Sequence, residues 1–320
     1  MNMIRKEVII VGGGPGGSAC ARRLRQAGVD CLLLDKQEFP RIKPCAGWIT
    51  PHVLSDLDLD PAQYPLSIST FNFFQISLRG LKFKLPTHQF AIRRIEFDDW
   101  LLTRSGVPAV KHQVKEIIQG EDGYVIDREY YCKYIVGAGG TYCPVRRILF
   151  NDQPGHRPEN QVVAMEEEFL YPDADDRCHL WFLENGLPGY SWYVPKGGGY
   201  VNVGVGGKAS ELKQNKDIIR RHWDLITNQI DMMGLVRGHV YQPLAHTYYL
   251  RNSLKELRSG NAFLVGDSAG LATPDMGEGI GAAIRSGIDA AESIISGKEY
   301  KLSGVPRFSL WSILTARGRN

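Results

Sequence analysis

The residues that decide the fold stand near the start of the chain, where residues 6–18 read Lys-Glu-Val-Ile-Ile-Val-Gly-Gly-Gly-Pro-Gly-Gly-Ser. Residues 8–11 form a short, continuous apolar run, which is typical of a parallel strand buried on both faces. Gly12, Gly14 and Gly17 follow with the G-x-G-x-x-G spacing of a dinucleotide-binding turn. The spacing predicts a tight turn, a close approach of the backbone to a pyrophosphate, and a helix packed closely on the strand.

A helix and a second strand complete this pattern. Residues 18–27 predict a helix, whose free N–H groups and positive dipole end would face the anion. Residues 31–34 predict a second buried strand. Asp35 ends that strand about 20 residues past the glycines, where a carboxylate accepts hydrogen bonds from ribose hydroxyls. The elements arrive in register and predict a dinucleotide site, but they do not separate FAD from NAD.

Composition narrows the class of protein. The chain has 320 residues, of which 43% are hydrophobic and 23% charged, as in ordinary globular proteins. A net charge of +3 is too mild to indicate a nucleic-acid partner. Six cysteines without a C-x-x-C pair predict a reducing compartment, with no disulfide framework and no metal site. The first strand begins almost at Met1, and no apolar run approaches the ~20 residues of a membrane span. We therefore expect a cytoplasmic protein.

The rest of the chain contains both the period-two pattern of strands and the 3.6-residue period of helices. Strands are predicted at residues 70–78 and 81–85 (joined by a turn at Arg79-Gly80), 107–110, 114–119, 124–127, 131–136, 162–169, 179–183, 190–194, 200–205 and 261–267, and helices at 97–103, 210–227 and 278–296. The parallel layer is thus assembled from separated pieces, with a mainly antiparallel sheet between them. This predicts α/β plus antiparallel β, in a discontinuous Rossmann-like nucleotide domain carrying an inserted β-rich domain.

Three more motifs continue the series. Residues 94–98 read Arg-Ile-Glu-Phe-Asp, residues 263–270 read Phe-Leu-Val-Gly-Asp-Ser-Ala-Gly, and residues 277–280 read Gly-Glu-Gly-Ile. With the opening glycines they stand in the order seen in flavoproteins of the p-hydroxybenzoate hydroxylase fold. Within that group the chain resembles the geranylgeranyl reductase family.

The resemblance implies FAD as the cofactor and assigns the domains. The FAD-binding domain would take residues 1–66, 91–155 and 255–300, the β-rich substrate domain residues 67–90 and 156–254, and a C-terminal tail residues 301–320. The implied cofactor-binding residues are Gly12, Gly14, Gly16, Gly17, Asp35, Lys36, Ala46, Gly47, Arg94, Val114, Gly139, Asp267, Gly277, Gly279 and Ile280.

Two motifs resemble the subfamily in particular. Residues 43–47, Lys-Pro-Cys-Ala-Gly, resemble its K-P-C-x-G loop beside the flavin ring, and residues 190–195, Tyr-Ser-Trp-Tyr-Val-Pro, resemble its Y-x-W-x-F-P signature lining a prenyl cavity. The resemblance implies catalytic roles for Cys45, Tyr190 and Trp192. Two alternatives stay open: Cys45 either positions the flavin or acts as a thiol, and the two aromatic residues either wall a channel or fill an ordinary sheet core.

A third motif departs from its pattern. Residues 137–146 resemble G-A-D-G-x-x-S-x-V-R, but Gly139 replaces the aspartate and Cys143 the serine. In related hydroxylases that aspartate helps to bind pyridine nucleotide, so direct use of NADPH is disfavoured. Residues 204–207, Gly-Val-Gly-Gly, lack the continuation of a second fingerprint. The electron donor is therefore expected to dock transiently, and NADPH and a ferredoxin-like protein stay open.

The resemblance implies an FAD-dependent oxidoreductase that saturates carbon–carbon double bonds of a polyprenyl lipid or quinone side chain. Hydride would come from reduced flavin, and a proton must accompany it because an isolated alkene is a poor electrophile; Cys45, Tyr190 and water are the candidate donors. An isoprenoid substrate implies peripheral contact with the inner face of the membrane, for which the arginine- and aromatic-containing tail is one candidate. The alternatives are a flavin monooxygenase of the same fold, a flavin halogenase, and a redox protein without its own substrate.

Overall fold

The computed structural model describes residues 3–150, 157–251, 256–302 and 304–309. Its strands are β1 Ile4–Val11, β2 Cys31–Asp35, β3 Trp48–Ile49, β4 Ile68–Leu78, β5 Leu81–Ile92, β6 Ala109–Lys111, β7 Ile117–Gln119, β8 Tyr124–Ile126, β9 Tyr130–Gly137, β10 Gln161–Leu170, β11 Cys178–Phe182, β12 Gly189–Lys196, β13 Tyr200–Lys208, β14 Leu244–Tyr249, β15 Arg258–Ser259 and β16 Ala262–Leu264. Its helices are α1 Pro15–Gln26, α2 Pro51–Asp56, α3 Arg94–Ser105, α4 Pro144–Leu149, α5 Ala209–Gln214, α6 Ile219–Met232 and α7 Ile280–Ser296.

The chain divides into two compact units. Unit 1 comprises Met1–Arg41, Ile95–Gly155 and Tyr249–Phe308, and unit 2 comprises Ile42–Arg94, His156–Tyr248 and Ser309–Asn320. Residues 42–66 were assigned from the sequence to the nucleotide domain, but they lie in unit 2, because β3 within them pairs with β5. The boundaries expected after residues 66, 90 and 254 fall after residues 41, 94 and 248.

The sheet of unit 1 runs in the order β15-β16-β9-β1-β2-β6, with the β7–β8 hairpin added at β9. The strands β16, β9, β1, β2 and β6 are mutually parallel. In this register Val11 lies opposite Gly137, and Gly137 lies opposite Leu264. The carboxyl ends of three parallel strands therefore meet at one sheet edge, which is where open α/β sheets bind ligands.

The sheet of unit 2 runs in the order β14-β10-β13-β12-β11-β4-β5-β3. The pairs β10–β13, β13–β12, β12–β11, β4–β5 and β5–β3 are antiparallel, and the pair β11–β4 is parallel. One face packs against α6, whose Trp223 and Ile226 share a core cluster with Tyr193 and Val203 of the sheet. Side chains alternate between the faces of a strand, so Trp192 belongs to the opposite face.

We call that opposite face the Trp192 face and define it by one row of paired residues. The row crosses six strands from β10 to β5 as Glu166, Gly204, Trp192, Leu180, Ile76 and Phe83. At a strand spacing of ~4.8 Å, the row spans roughly 24 Å. The same face of the sheet therefore carries the buried Glu166 at one end of the row and the β4–β5 hairpin at the other.

The structure corrects several element predictions. The single helix expected at residues 210–227 is two helices, α5 and α6. Lys216 between them has φ 53°, in the left-handed region, and the Asp217 carboxylate accepts a hydrogen bond from the Ile218 N–H at 2.8 Å. The strand expected at 114–119 covers only β7, and β14 was not predicted. The tail hypothesis rests mainly on residues 310–320, which lie outside the described residues.

Candidate active site

The glycine turn of unit 1 is built for an anion. Gly12 has φ 117°, and a Cβ there would lie 2.3 Å from the Ala138 carbonyl oxygen; a Cβ on Gly17 would lie 1.9 Å from the Gly12 oxygen. Both positions require glycine. A Cβ on Gly14, by contrast, would meet only the Arg41 guanidinium, at 3.4 Å. The space beside Gly14 is therefore open, at the start of a helix that has no side-chain cap and no acidic residue in its first turn.

Asp35 organises this turn from the end of β2. Its carboxylate accepts hydrogen bonds from the Gly13 N–H at 2.7 Å and from the Gln37 N–H at 2.9 Å. Each carboxylate oxygen keeps capacity for a further donor, so a ribose hydroxyl can still bind there. Asp35 thus shapes the loop in addition to its predicted ligand role.

Arg41 is a candidate cofactor-binding residue that was not predicted from the sequence. Its guanidinium lies beside the open space at Gly14 and forms an ion pair with Asp98 at 3.4 Å. Asp98 is fully buried. The aspartate of the R-x-x-F-D motif therefore holds a cation where the diphosphate would bind. The open cradle, the uncapped helix and this cation fit a dinucleotide diphosphate.

The motif at residues 263–270 lies beside the opening glycine turn within unit 1, since a Cβ on Gly16 would lie 3.3 Å from Val265. Gly16 and Gly287 let α1 and α7 approach closely, since a Cβ on Gly287 would lie 2.1 Å from the Gly16 oxygen. Asp267 lies next to the start of α7, where a Cβ on Gly279 would be 3.2 Å from its carboxylate. The Glu278 carboxylate accepts from the Gly281 N–H at 2.6 Å, and burial raises the pKa of Glu278 to about 7.

The remaining predicted cofactor residues are distributed over both units. In unit 1, Gly139 packs on Cys143, Val114 is buried in the core, Lys36 is exposed, Gly277 has φ 64° and Ile280 begins α7. In unit 2, Arg94 is buried, Ala46 is half-buried and Gly47 is buried. The cofactor-binding roles of these residues stay predictions.

The Cys45 loop is anchored on the Trp192 face of unit 2. The Cys45 carbonyl accepts from Lys196 Nζ at 3.3 Å and from Asn202 Nδ2 at 3.5 Å. The Gly47 N–H donates to the Cys45 Sγ at 3.3 Å. Gly47 itself has φ 69°, and a Cβ would lie 2.0 Å from the Ile92 oxygen. The half-buried thiol is therefore held by a loop fixed at both ends.

Trp192 joins the same network. Its indole N–H donates to Asn202 Oδ1 at 2.6 Å, and its ring lies 5.5 Å from that of Tyr190. A Cβ on Gly204 would fall 2.2 Å from the indole. Gly204 and Gly206 thus leave room for the indole of Trp192, which explains a glycine motif that could not be a second dinucleotide fingerprint. Cys45 and Trp192, predicted separately, meet through Asn202.

Substituting Gly204 should disturb this seat. We expect Gly204→Ala to push the indole aside, break its hydrogen bond to Asn202 and lower stability by ~1–3 kcal/mol, the usual cost of overpacking. Thermal melting and near-ultraviolet circular dichroism measure both effects. Gly206→Ala is the matched control, because its Cβ would lie 3.5 Å from the same ring, an ordinary contact. Equal melting temperatures for the two variants would contradict this packing.

Glu166 lies beneath this network and was not predicted. It is 2% exposed, and its carboxylate faces His246 Nδ1 at 3.6 Å. Burial raises the Glu166 pKa to about 7, against the lowering effects of Lys196, Asn202 and Lys43. Burial also lowers the pKa of His246 to about 4, with Lys43 and Arg94 acting in the same direction. Near neutral pH this site therefore holds an ionisable proton away from water.

The Lys196 ammonium sits beside that proton. Its side chain is fully buried and pairs with Glu168 Oε2 at 2.5 Å. Arg93 pairs with the other Glu168 oxygen at 2.9 Å. Two cations therefore compensate the charge of Glu168. Glu166, by contrast, has no salt bridge to a lysine or arginine in the part of the chain that the structure describes, and burial raises its pKa. Alternation along β10 places both glutamates on the Trp192 face, a signal that period-two patterning could have supplied.

The comparisons with known proteins agree with this geometry. Residues 109–296 match the FAD binding domain family, and residues 10–49 match an NAD(P)-binding Rossmann-like domain, which covers the same opening glycines. The chain belongs to this family of FAD-dependent oxidoreductases.

Two of the similar proteins are named as reductases. The chain is 29% identical to the menaquinone reductase of Mycobacterium tuberculosis, over 91% of this chain and 76% of the relative. It is 25% identical to digeranylgeranylglycerophospholipid reductase 2 of Methanopyrus kandleri, over 89% and 76%. A geranylgeranyl bacteriochlorophyll reductase-like structure from Thermoplasma acidophilum has the same fold, with a TM-score of 0.81 at 22% identity over 92% and 79%. The expected resemblance to geranylgeranyl reductase-type flavoproteins and the expected fold class are confirmed.

Two further findings concern the described residues alone. They include no helix of the length and apolarity that crossing a bilayer needs. They also include no group of three His, Cys, Asp or Glu side chains arranged for a metal ion.

Proposed function

We propose that this protein reduces carbon–carbon double bonds in the isoprenoid part of a lipid or quinone. One observation carries the proposal: hydrogen bonds through Asn202 join the Cys45 loop to Trp192 on one face of unit 2, and the buried carboxyl of Glu166 lies on the same face. Apolar and aromatic side chains continue that face through Leu180 and Ile76. The names of the two curated reductases support the same substrate class.

Different residues of the chain would bind the cofactor and position the substrate. The glycine turn, Asp35 and Arg41 would hold the dinucleotide part of FAD. The reduced flavin ring of the bound cofactor supplies the hydride. Tyr190 and Trp192 would position the alkene, and the Cys45 loop would border the flavin ring. The electron donor would dock transiently, and NADPH and a ferredoxin-like protein are the two candidates.

Glu166 is proposed as the store of the proton that alkene reduction consumes. Hydride adds to one alkene carbon and a proton to the other, so each saturated bond takes one proton from the protein. A carboxyl with a pKa of about 7 holds that proton at neutral pH, and efficient acid catalysis needs a pKa near the working pH. The carboxylate that remains is stabilised by the Lys196 ammonium.

A Cys45→Ser variant separates the two roles left open for the thiol. We expect FAD binding to persist, the flavin absorption to shift, and turnover to fall by about tenfold, because serine keeps a polar atom for the Gly47 N–H while changing the loop beside the flavin. Absorption spectra and turnover rates measure this. Complete loss of turnover with an unchanged flavin spectrum would assign acid chemistry to the thiol instead.

Product masses test the function directly. The FAD-loaded protein, reduced chemically without oxygen, is incubated with a geranylgeranylated glycerophospholipid and with a polyprenyl menaquinone. After the quinone head group has been reoxidised in air, the proposal predicts products heavier by two hydrogens per saturated bond. Unchanged masses for every polyprenyl compound would contradict it, and a product that gains oxygen in a parallel incubation with air would favour the monooxygenase alternative.

A further inference from the structure

The tip of the β4–β5 hairpin exposes a compact apolar and basic surface. We define the β4–β5 tip as residues 78–84, Leu-Arg-Gly-Leu-Lys-Phe-Lys. Its three large apolar side chains are exposed, Leu78 at 40%, Leu81 at 68% and Phe83 at 42%. The segment also carries three positive charges and no acidic residue. Exposed apolar side chains next to cations are typical of surfaces that bind the edge of an anionic bilayer.

The backbone of the tip presents these side chains in a fixed arrangement. Arg79 and Gly80 have φ 48° and 87°, as a two-residue hairpin turn requires. Leu78 lies opposite Leu81 and Ile76 opposite Phe83, so the apolar residues share the Trp192 face. Lys82 and Lys84 alternate to the other face. Asp173 and Asp175 line a pocket together with Lys82. Asp175 binds Arg177, and Glu184 accepts a hydrogen bond from Ser77.

We propose that the β4–β5 tip docks this protein on an anionic lipid surface. The tip lies at the end of the same row that contains Trp192, three strands or roughly 14 Å away. Between the tip and Trp192 this row consists of the buried apolar side chains Leu180 and Ile76, which are 2% and 7% exposed. The inference rests on the proposed function for its purpose, and it names the surface from which the substrate would come.

A second copy of the chain is the competing occupant, because β5 is a sheet edge. Within the described residues β5 pairs with β3 only at Phe90 and Ala91, so its outer edge beside the tip is open to another strand. Lysines and proline on an edge strand oppose such pairing. Lys82, Lys84 and Pro86 occupy this edge. The charges that repel a second copy attract an anionic surface.

Flotation with vesicles tests the proposal without any turnover. The FAD-loaded full chain is mixed with vesicles of phosphatidylglycerol and phosphatidylcholine, or of phosphatidylcholine alone. We expect binding to the anionic vesicles that weakens with salt. Lys82→Gln/Lys84→Gln should reduce partitioning by about 25-fold, roughly fivefold per charge, and Leu81→Ser/Phe83→Ser should reduce it at all salt concentrations.

Matched variants carry the same changes away from the tip. Lys213→Gln/Lys298→Gln removes two exposed charges, and Met232→Ser/Val240→Ser removes two apolar side chains that are each 81% exposed. These should bind as the unaltered protein does, and all variants should keep its melting temperature. Absence of binding by the unaltered protein, equal binding by the tip variants, or a dimer that the tip variants abolish in place of binding would overturn the proposal. Because no substrate is turned over, failure here leaves the reductase proposal standing, and the reverse holds for failure of the reductase assay.

Discussion

A Gly14→Val protein is expected to fold normally and to lose its FAD. Gly14 has φ −70° and ψ −176°, an extended conformation open to any residue, and the nearest atom to a new Cβ is the flexible end of Arg41 at 3.4 Å. The added methyl groups would occupy the space where the diphosphate must approach the helix start. We expect FAD affinity to fall by about 100-fold or more, since forced overlap costs ~1–3 kcal/mol and contacts are lost as well.

Flavin stoichiometry and thermal melting separate this effect from misfolding. Gly120→Val is the matched control, because its Cβ would approach only the Gly123 oxygen, at 3.7 Å; it should retain full FAD content. Gly17→Val would not serve, since its Cβ would overlap the Gly12 oxygen and damage the fold itself. Stoichiometric FAD on a folded Gly14→Val protein would refute the placement of the cofactor at this turn.

Replacing Glu166 by glutamine should change how stability depends on pH. Burial raises the folded-state pKa of Glu166 from the ordinary 4.5 to about 7. The folded protein therefore binds more protons than the unfolded chain between these values, and the stabilising effect of the protonated carboxyl is lost as pH rises through about 7. A shift of this size corresponds to ~3 kcal/mol. Glutamine stays neutral, so the variant should gain about that much relative to the unaltered protein from pH 4.5 to 8.

His246 acts in the opposite sense over part of this range. Its folded pKa is lowered from 6.5 to about 4, so its contribution to stability is lost as pH falls from 6.5 towards 4. Chemical denaturation at a series of pH values, compared between Glu166→Gln and the unaltered protein, isolates the glutamate. Glu211→Gln, an exposed glutamate on α5, should leave the profile unchanged. Parallel profiles for Glu166→Gln and the unaltered protein would show that Glu166 is ionised in the fold.

The same variant tests the proposed proton store. Glutamine keeps the shape of the protonated acid but cannot release a proton, so turnover should fall by ~10²–10⁴-fold, the usual contribution of acid–base catalysis, while FAD content is retained. The pH profile of the unaltered protein should lose activity above about pH 7. Turnover that survives in Glu166→Gln with an unchanged pH profile would return the role to Cys45, Tyr190 or water.

The nucleotide half could be predicted because its signals are local. Gly12, Gly14, Gly17 and Asp35 stand within one β–α–β unit, and the required glycine conformations follow from spacing alone. Arg41 escaped prediction because its partner Asp98 is distant in sequence, and only the fold brings the two together. The R-x-x-F-D motif named the aspartate without showing what it holds.

The arrangement of unit 2 depends on strand register, which no local pattern gives. Glu166, Trp192 and Phe83 share one row only because six strands pair in a particular order, including the parallel pair β11–β4. His246 lies on β14, a strand whose residues lack a clear alternation and which was therefore missed. The helix expected at 210–227 kept its apolar spacing across the break, because periodicity does not reveal the left-handed Lys216.

The central claim is that the reduced flavoprotein passes its electrons to an isoprenoid double bond. Flavin absorbance, recorded in a stopped-flow instrument without oxygen, tests it most directly. Adding a geranylgeranylated lipid should restore the absorbance of oxidised flavin, with one equivalent oxidised per double bond saturated, and a fully saturated lipid of the same head group should have no effect. Reoxidation only when oxygen is admitted, at a rate that either lipid leaves unchanged, would contradict the account.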